Sequence, residues 1–188
     1  MLIGVDEAGR GPLAGNVCAA AVILDPSKPI LGLADSKKLT AKKRDELYDL
    51  IIANSYAYHI SYASVAEIDQ LNILQATLLA MSRAILPIQH LADEVIVDGN
   101  KTPPVQNIKI SSLVRGDSLI EAISAASILA KVTRDRECFE LDRLYPEYGF
   151  AAHKGYGTKQ HVIAINQYGL IPGIHRTSFK LKSQQDLF

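Results

Sequence analysis

Apolar runs that end directly in carboxylates constrain this chain more than any other feature. Leu2-Ile3-Gly4-Val5 is followed at once by Asp6-Glu7, and the pattern returns in Val95-Ile96-Val97-Asp98. Each run has the length and composition of a buried strand, and the acids fall at its C-terminal end. Open α/β sheets commonly place their sites at that end. A chain that does this twice, with helical segments between, is expected to form an α/β fold: one mixed sheet with helices packed on its faces.

The remaining elements fit that frame. Val17 to Leu24 is an apolar second strand ended by Asp25-Pro26. Thr40 caps a helix running to about Ala53, and Tyr56 to Tyr62 alternates as a third strand. Two capping-box pairs, Ser64 with Glu67 and Asn72 with Gln75, start two further helices. Asn107 to Ile110 reads as one more strand. A long helical stretch follows Asp117, from Leu119 to about Leu144, and stops near Pro146. Thr158 caps a last helix that Gly169 ends. Residues 1–180 are expected to form one domain, with 181–188 as a polar tail. A length of 188 residues and a hydrophobic fraction of 48% suit a single core.

Charge removes one simple argument about partners. Lys plus Arg total 20 and Asp plus Glu total 20, so the formal net charge is zero. Any attraction to phosphate must come from local patches or bound cations. Lys37, Lys38, Lys42, Lys43 and Arg44 form one such patch, although the last three also read as an ordinary solvated helix face. Cys18 and Cys138 lie in no metal-binding spacing and read as buried apolar residues. No basic leader precedes the first strand and no run of ~18 apolar residues occurs. The expected location is the cytoplasm.

Taken singly, each acid has an ordinary reading. Asp6 and Asp98 could be turn residues after strands, Glu7 a solvated surface acid, and Asp117 a helix N-cap. Four carboxylates in one place repel one another and are costly to desolvate. A fold tolerates that best with divalent cations between them. Oxygen ligands without His or Cys point to magnesium or manganese. Two such ions can activate water and stabilise the leaving oxygen of a phosphodiester. The loop from Gly9 to Gly15 has the spacing G-x-G-x-x-x-G, leads into a strand and contains Pro12. That is the wrong spacing and context for a dinucleotide-binding turn. It reads better as a loop whose bare amides can approach a sugar or phosphate.

These residues resemble a known family. Asp6-Glu7-Ala8-Gly9-Arg10-Gly11-Pro12-Leu13-Ala14-Gly15 resembles the signature of ribonuclease HII, the type 2 ribonuclease H. Asp35-Ser36-Lys37-Lys38-Leu39, Val97-Asp98-Gly99-Asn100, and Gly116-Asp117 with Ala125 to Asp135 match further motifs. His153-Lys154-Gly155-Tyr156-Gly157-Thr158 and His175-Arg176-Thr177-Ser178-Phe179 complete the set, all in the family's order. The resemblance implies a ribonuclease H-like fold with a helical C-terminal part. It implies cleavage of RNA in RNA–DNA hybrids and incision 5′ to single ribonucleotides in duplex DNA, leaving 3′-hydroxyl and 5′-phosphate ends.

By motif match the catalytic acids are Asp6, Glu7, Asp98 and Asp117, with Asp6, Glu7 and Asp98 as metal ligands. Gly9, Arg10 and Gly11 would sense the 2′-hydroxyl, and Tyr156 would stack on the neighbouring deoxyribose. Lys37, Lys38, His153 and Lys154 are the expected phosphate contacts. His175 and Arg176 read as structural. A junction resolvase or another metal-dependent nuclease of the same fold is the alternative, but it would lack the glycine–arginine–glycine loop paired with the tyrosine motif. The tail ending Gln184-Gln185-Asp186-Leu187-Phe188 is similar to the bacterial sliding-clamp binding pentapeptide, with Gln184, Leu187 and Phe188 as contacts. It departs at Gln185, where that pattern favours Leu.

Overall fold

The computed structural model describes residues 1–180, and the proposed clamp contacts Gln184, Leu187 and Phe188 lie outside them. Five strands form one sheet: β1 (Leu2–Ala8), β2 (Val17–Leu24), β3 (Ser55–Ala63), β4 (Glu94–Asp98) and β5 (Lys109–Leu113). Their order is β3-β2-β1-β4-β5. The β1–β2 and β2–β3 pairs are antiparallel, whereas β1–β4 and β4–β5 are parallel. The sheet is therefore mixed, and β1 lies where its two halves meet.

Strand β2 shows why helices cover both faces. Val17, Ala19, Ala21 and Ile23 join one core with Ile3, Val5 and helix α3 (Ile73–Ile85). Cys18, Ala20 and Val22 point into a second core with helices α1 (Ala41–Asn54) and α4 (Glu121–Leu144). A strand buried on both faces reads as a continuous apolar run. Small residues let the layers close. A Cβ on Gly4 would lie 2.2 Å from the carbonyl carbon of Ala122. Only glycine lets the start of α4 rest against β1, and that contact brings the turn before α4 toward the strand carrying Asp6.

Helix starts follow the sequence closely. Thr40 accepts from the Lys43 amide, and Ser64 with Glu67 completes a capping box before α2 (Val65–Leu71). Asn72 accepts from the Gln75 amide to begin α3, while also ending α2 at φ 73°. Other boundaries differ. Strand β1 runs on through Asp6 and Glu7 to Ala8 because those residues pair with Ala20 and Ala19 of β2. Strand β5 covers Lys109–Leu113, not 107–110, because Asn107 has φ 64° and cannot lie in a ladder. Asp117 is not the cap of the long helix. It sits in a short 3₁₀ turn, Gly116–Ser118, and Ile120 occupies the cap position.

Beyond α4 come a one-turn helix, α5 (Phe150–His153), and α6 (Lys159–Tyr168). They enclose a third, smaller core around Tyr148, Phe150, Ala164 and Ile165. Among the described residues no helix is long and apolar enough to cross a membrane.

Candidate active site

The sheet's topology assembles the acids. Parallel pairing aligns Val5 with Val97, so Asp6 and Asp98 follow side by side at the same sheet edge. The Glu7 amide donates to Asp6 Oδ1 at 2.7 Å, and the Gly116 amide donates to Asp98 Oδ1 at 2.7 Å. The second bond ties the turn that carries Asp117 to the end of β4. Ser124 Oγ donates to the Asp117 carbonyl at 2.6 Å, which fixes the turn to α4.

Electrostatics register the crowding. Asp6 and Asp117 are each only 7% exposed. Burial raises the Asp6 carboxyl well above its ordinary value, and the charges of Glu7, Asp98 and Asp117 add to the rise. Burial also raises Glu7; Arg10 opposes that shift and Asp98 reinforces it. Asp117 is raised by burial, then by Asp35 and Asp98. Asp6 thus lies within the fields of the other three acids, Asp98 acts on Glu7 and Asp117 as well, and Asp35 joins through Asp117. Sequence reasoning gives Asp35 no role beyond its motif, because its approach to Asp117 depends on tertiary packing.

Buried carboxylates that also repel one another form a site that favours added positive charge. Their donor set is oxygen alone, which fits a hard divalent cation. Among the described residues no three His, Cys, Asp or Glu side chains close into a ready-made cage. Asp6 and Glu7 line an open groove instead. An open edge suits a small cation that keeps waters and takes substrate phosphate oxygens as its remaining ligands.

That groove, of about 370 Å³, is lined by Asp6, Glu7, the Gly9–Gly11 loop, Lys37, Lys154 and Tyr156. Asp98 borders a smaller recess that shares Glu7 and Arg10 with this groove. Lys131 and Arg134 also reach the groove wall, but Lys131 is paired with Asp135, another lining residue, at 2.6 Å and Arg134 is buried against Glu137. Lys38 stands beside the Asp117 turn, its Nζ donating to Ser118 Oγ at 3.3 Å. Tyr156 is 48% exposed, and its ring covers Gly11, where a Cβ would lie 3.1 Å from Cε1. Gly11 is small because the tyrosine occupies its side-chain space.

Two buried guanidinium groups hold the loop in place. Arg176 donates to the carbonyls of Gly9, Arg10, Pro12, Gly15 and Asn16. Arg134 donates to the Ala14 carbonyl at 2.6 Å and pairs with Glu137 at 3.3 Å. Gly9 has φ 95°, and a Cβ there would lie 2.9 Å from Arg134 Nε. The structural reading of Arg176 matches this placement. Arg134 is a loop-holding residue that sequence reasoning misses, since Ala14 lies 120 positions away from it. Arg44 also departs from a solvated face: its Nη1 donates to the carbonyls of Ser36 and Leu39 and so fastens the loop bearing Lys37 and Lys38.

His153 is the expected phosphate contact that the geometry does not supply. It is 7% exposed; Nε2 lies 2.8 Å from the Tyr148 carbonyl, and Nδ1 accepts from the Gly155 amide at 3.1 Å. Neither ring nitrogen is left for a phosphate. Its neighbour Lys154 lines the groove while its ammonium also donates to the Ala151 carbonyl and lies over the Phe139 ring.

Known proteins agree with this architecture. A family profile described as Ribonuclease HII matches residues 3–182. Ribonuclease HII of Coxiella burnetii is 56% identical over 188 residues, covering 100% of this chain and 92% of the relative. The crystal structure of ribonuclease H2 from Pyrococcus horikoshii OT3 superposes with TM-score 0.75 at 29% identity, covering 96% of this chain and 94% of that one. The ribonuclease HII in the PCNA complex from Archaeoglobus fulgidus shares the fold with TM-score 0.78 at 24% identity, over 98% and 97% of the two chains.

Proposed function

The chain belongs to the ribonuclease HII family, and we propose that, beyond the cleavage of RNA in RNA–DNA hybrids that makes it a ribonuclease H, it incises duplex DNA 5′ to a single ribonucleotide. The observation that carries this reading is the contact between Tyr156 and Gly11 in the groove that Asp6 and Glu7 line. Sensing one ribose demands a 2′-hydroxyl reader and a neighbouring-sugar reader at fixed separation from the chemistry. The loop and the ring stand against each other at that place.

In this reading Asp6, Glu7 and Asp98 hold divalent cations, magnesium or manganese, with Asp117 completing the acidic set. When bound, such ions supply an activated water and stabilise the departing 3′-oxygen. The protein's own part is positioning. Backbone amides fix one oxygen each of Asp6 and Asp98, leaving the second oxygen of each for a cation. Gly9, Arg10 and Gly11 offer main chain to the 2′-hydroxyl, and Arg176 sets their shape. Lys37, Lys38 and Lys154 line the path of the phosphates. The products carry a 3′-hydroxyl and a 5′-phosphate. Incubation with duplex DNA holding one ribonucleotide should give magnesium-dependent incision on its 5′ side, and 2′-deoxy substitution should eliminate it. Efficient cutting of all-DNA duplex defeats the reading.

Residues 1–180 act in this reading as one catalytic domain, and 181–188 as a tethering peptide for the replication sliding clamp. The Gln184, Leu187 and Phe188 pattern supports that role, as does the existence of a ribonuclease HII solved with PCNA. A short peptide contact of this kind should show modest, micromolar-scale affinity. Fluorescence anisotropy of the labelled tail against the clamp should saturate, and Leu187→Ala with Phe188→Ala should abolish it. An unchanged curve in the double variant removes the tail from recognition.

A further inference from the structure

Behind Tyr156 lies a packed group of three imidazoles. His153, His161 and His175 are 7%, 0% and 2% exposed. The rings of His153 and His161 stack at 4.2 Å, and those of His161 and His175 lie 5.3 Å apart. Phe150 and Tyr148 pack against them. The proposed chemistry uses none of these nitrogens, yet every one of them is engaged.

Their partners determine where each proton sits. A backbone amide can only donate, so the Ile171 amide, 2.8 Å from His175 Nδ1, requires a lone pair there. A neutral His175 then carries its proton on Nε2. That atom faces His161 Nε2 at 3.1 Å, so His161 accepts and carries its own proton on Nδ1. His161 Nδ1 lies 3.0 Å from the Tyr156 carbonyl, which can only accept. The chain of donors runs from the Ile171 amide through His175 and His161 to the main chain of Tyr156. A separate link has the same form: the Gly155 amide donates to His153 Nδ1, and His153 Nε2 donates to the Tyr148 carbonyl. Protonating either His161 or His175 would set two donors against each other. Burial opposes that, holding all three imidazoles below their ordinary range and His161 at about 4.

We propose that His161, fixed in one tautomer by His175, is a positioning residue for Tyr156, and that its hold on the Tyr156 carbonyl sets the ring over Gly11 where the neighbouring sugar stacks. The inference rests on the reading of Tyr156 as the sugar-stacking residue. The tyrosine ring is half exposed and rests over a glycine that has no side chain to grip it, so its position comes from its main chain. That main chain is held on three sides: the Tyr156 amide donates to the His153 carbonyl, the Gly155 carbonyl accepts from the Leu13 amide, and the Tyr156 carbonyl accepts from the Thr158 amide and from His161. Of these holds, His161 is the one made by a side chain.

The test compares kcat/KM on duplex DNA with one ribonucleotide against kcat/KM on a uniform RNA–DNA hybrid. Tyr156→Ala should lower that ratio by roughly 5-fold or more, the scale of a lost stacking contact. His161→Leu should lower the same ratio by roughly 2–10-fold, the worth of one net hydrogen bond. His161→Asn, whose amide nitrogen can stand where Nδ1 stood, should recover most of it. The Tyr156→Ala, His161→Leu double variant should be no worse than Tyr156→Ala. Multiplying defects, or Leu and Asn behaving alike, overturns the inference. A changed ratio in Tyr156→Ala with none in His161→Leu overturns the inference alone; an unchanged ratio in Tyr156→Ala removes the reading of the tyrosine as well. Nitrogen-15 spectra of the unmodified protein give an answer that no folding defect can obscure. His161 should be the Nδ1–H tautomer, and His153 and His175 the Nε2–H tautomer; the reverse at His161 ends the proposal.

Discussion

The acid edge and the buttress behind the glycine loop are built on opposite rules. In the buttress, Arg176 saturates five carbonyls and the three histidines satisfy one another and the main chain. At the acid edge, burial raises Asp6, Glu7 and Asp117 above the ordinary carboxylate range, and neighbouring carboxylates, Asp98 among them for each, add to the rise. One region meets most of its polar needs as folded, with Arg134 Nε and Glu137 Oε2 left without hydrogen bonds; the other, on the proposed reading, is completed by cations and a phosphodiester. The buttress commits its polar groups to shape, whereas the acid edge keeps an unmet demand for positive charge. Substitutions in the two regions should therefore fail differently, one through geometry and stability, the other through chemistry alone.

The sharpest test of that contrast is Asp98→Asn. The side-chain carbonyl that this substitution introduces could still accept from the Gly116 amide, so the Asp117 turn should stay in place. Losing one charge relieves the repulsion that, after burial, raises Asp6 and Glu7. Turnover should fall by at least roughly 10²–10³-fold, the scale of losing one preorganised charge, with no drop in melting temperature without metal. Near-normal magnesium-dependent cleavage would show that the acids are not the site.

Arg176→Lys tests the other side. An ammonium cannot reproduce the guanidinium fork that spans five carbonyls. Each buried carbonyl left without a donor costs about 1–3 kcal/mol. Burial, then the neighbouring charge of Arg134, lowers Arg176 to about 10, so it remains charged at neutral pH and the substitution exchanges one cation for another. Denaturant unfolding should show a loss of stability of that size, and cleavage should fall with it. Lost cleavage at unchanged stability would make Arg176 a substrate contact and erase the contrast.

What is legible in the sequence follows the same division. The acids can be read because each strand and the acid at its end are adjacent in sequence: Val5 before Asp6, Val97 before Asp98. Capping residues such as Thr40 and Ser64 are legible for the same reason, since their partners lie three positions on. The buttress is legible only in outline: His175 and Arg176 read as structural, but what they hold does not. Arg176 reaches Gly9 across 167 positions and Arg134 reaches Ala14 across 120. No local pattern marks such bonds. His153 reads as a phosphate contact because it lies in a family motif, but in the folded chain its ring is buried while Lys154 lines the groove. Asp117 does come near Asp6 and Asp98, but it sits in a short 3₁₀ turn and not at a helix N-cap. The Gly116 amide bond to Asp98 stabilises a tight turn ahead of the helix.

The smallest expected effect is a difference between two pH dependences. Unfolded histidine titrates near about 6.5, whereas burial holds His153, His161 and His175 lower, His161 at about 4. Between those values the unfolded chain binds more protons than the folded one, so the histidines' contribution to stability is present above about 6.5 and is lost as pH falls toward 4. The acids have the opposite sign. Asp6, Glu7 and Asp117 are raised, so without metal the folded chain binds protons first on acidification, and their ionisation costs stability as pH rises. Bound cations need those acids ionised, so stabilisation by magnesium should be largest near neutrality and shrink as protons compete. Denaturation midpoints in chelator and in saturating magnesium, from roughly pH 7.5 down to about 5, separate the two contributions. His161→Asn should flatten the loss on acidification and leave the magnesium increment untouched, because the imidazoles and the acids share no hydrogen bond. If the magnesium increment shrank in His161→Asn, the buttress and the acid edge would be one coupled unit, and the opposition between them would have to be abandoned.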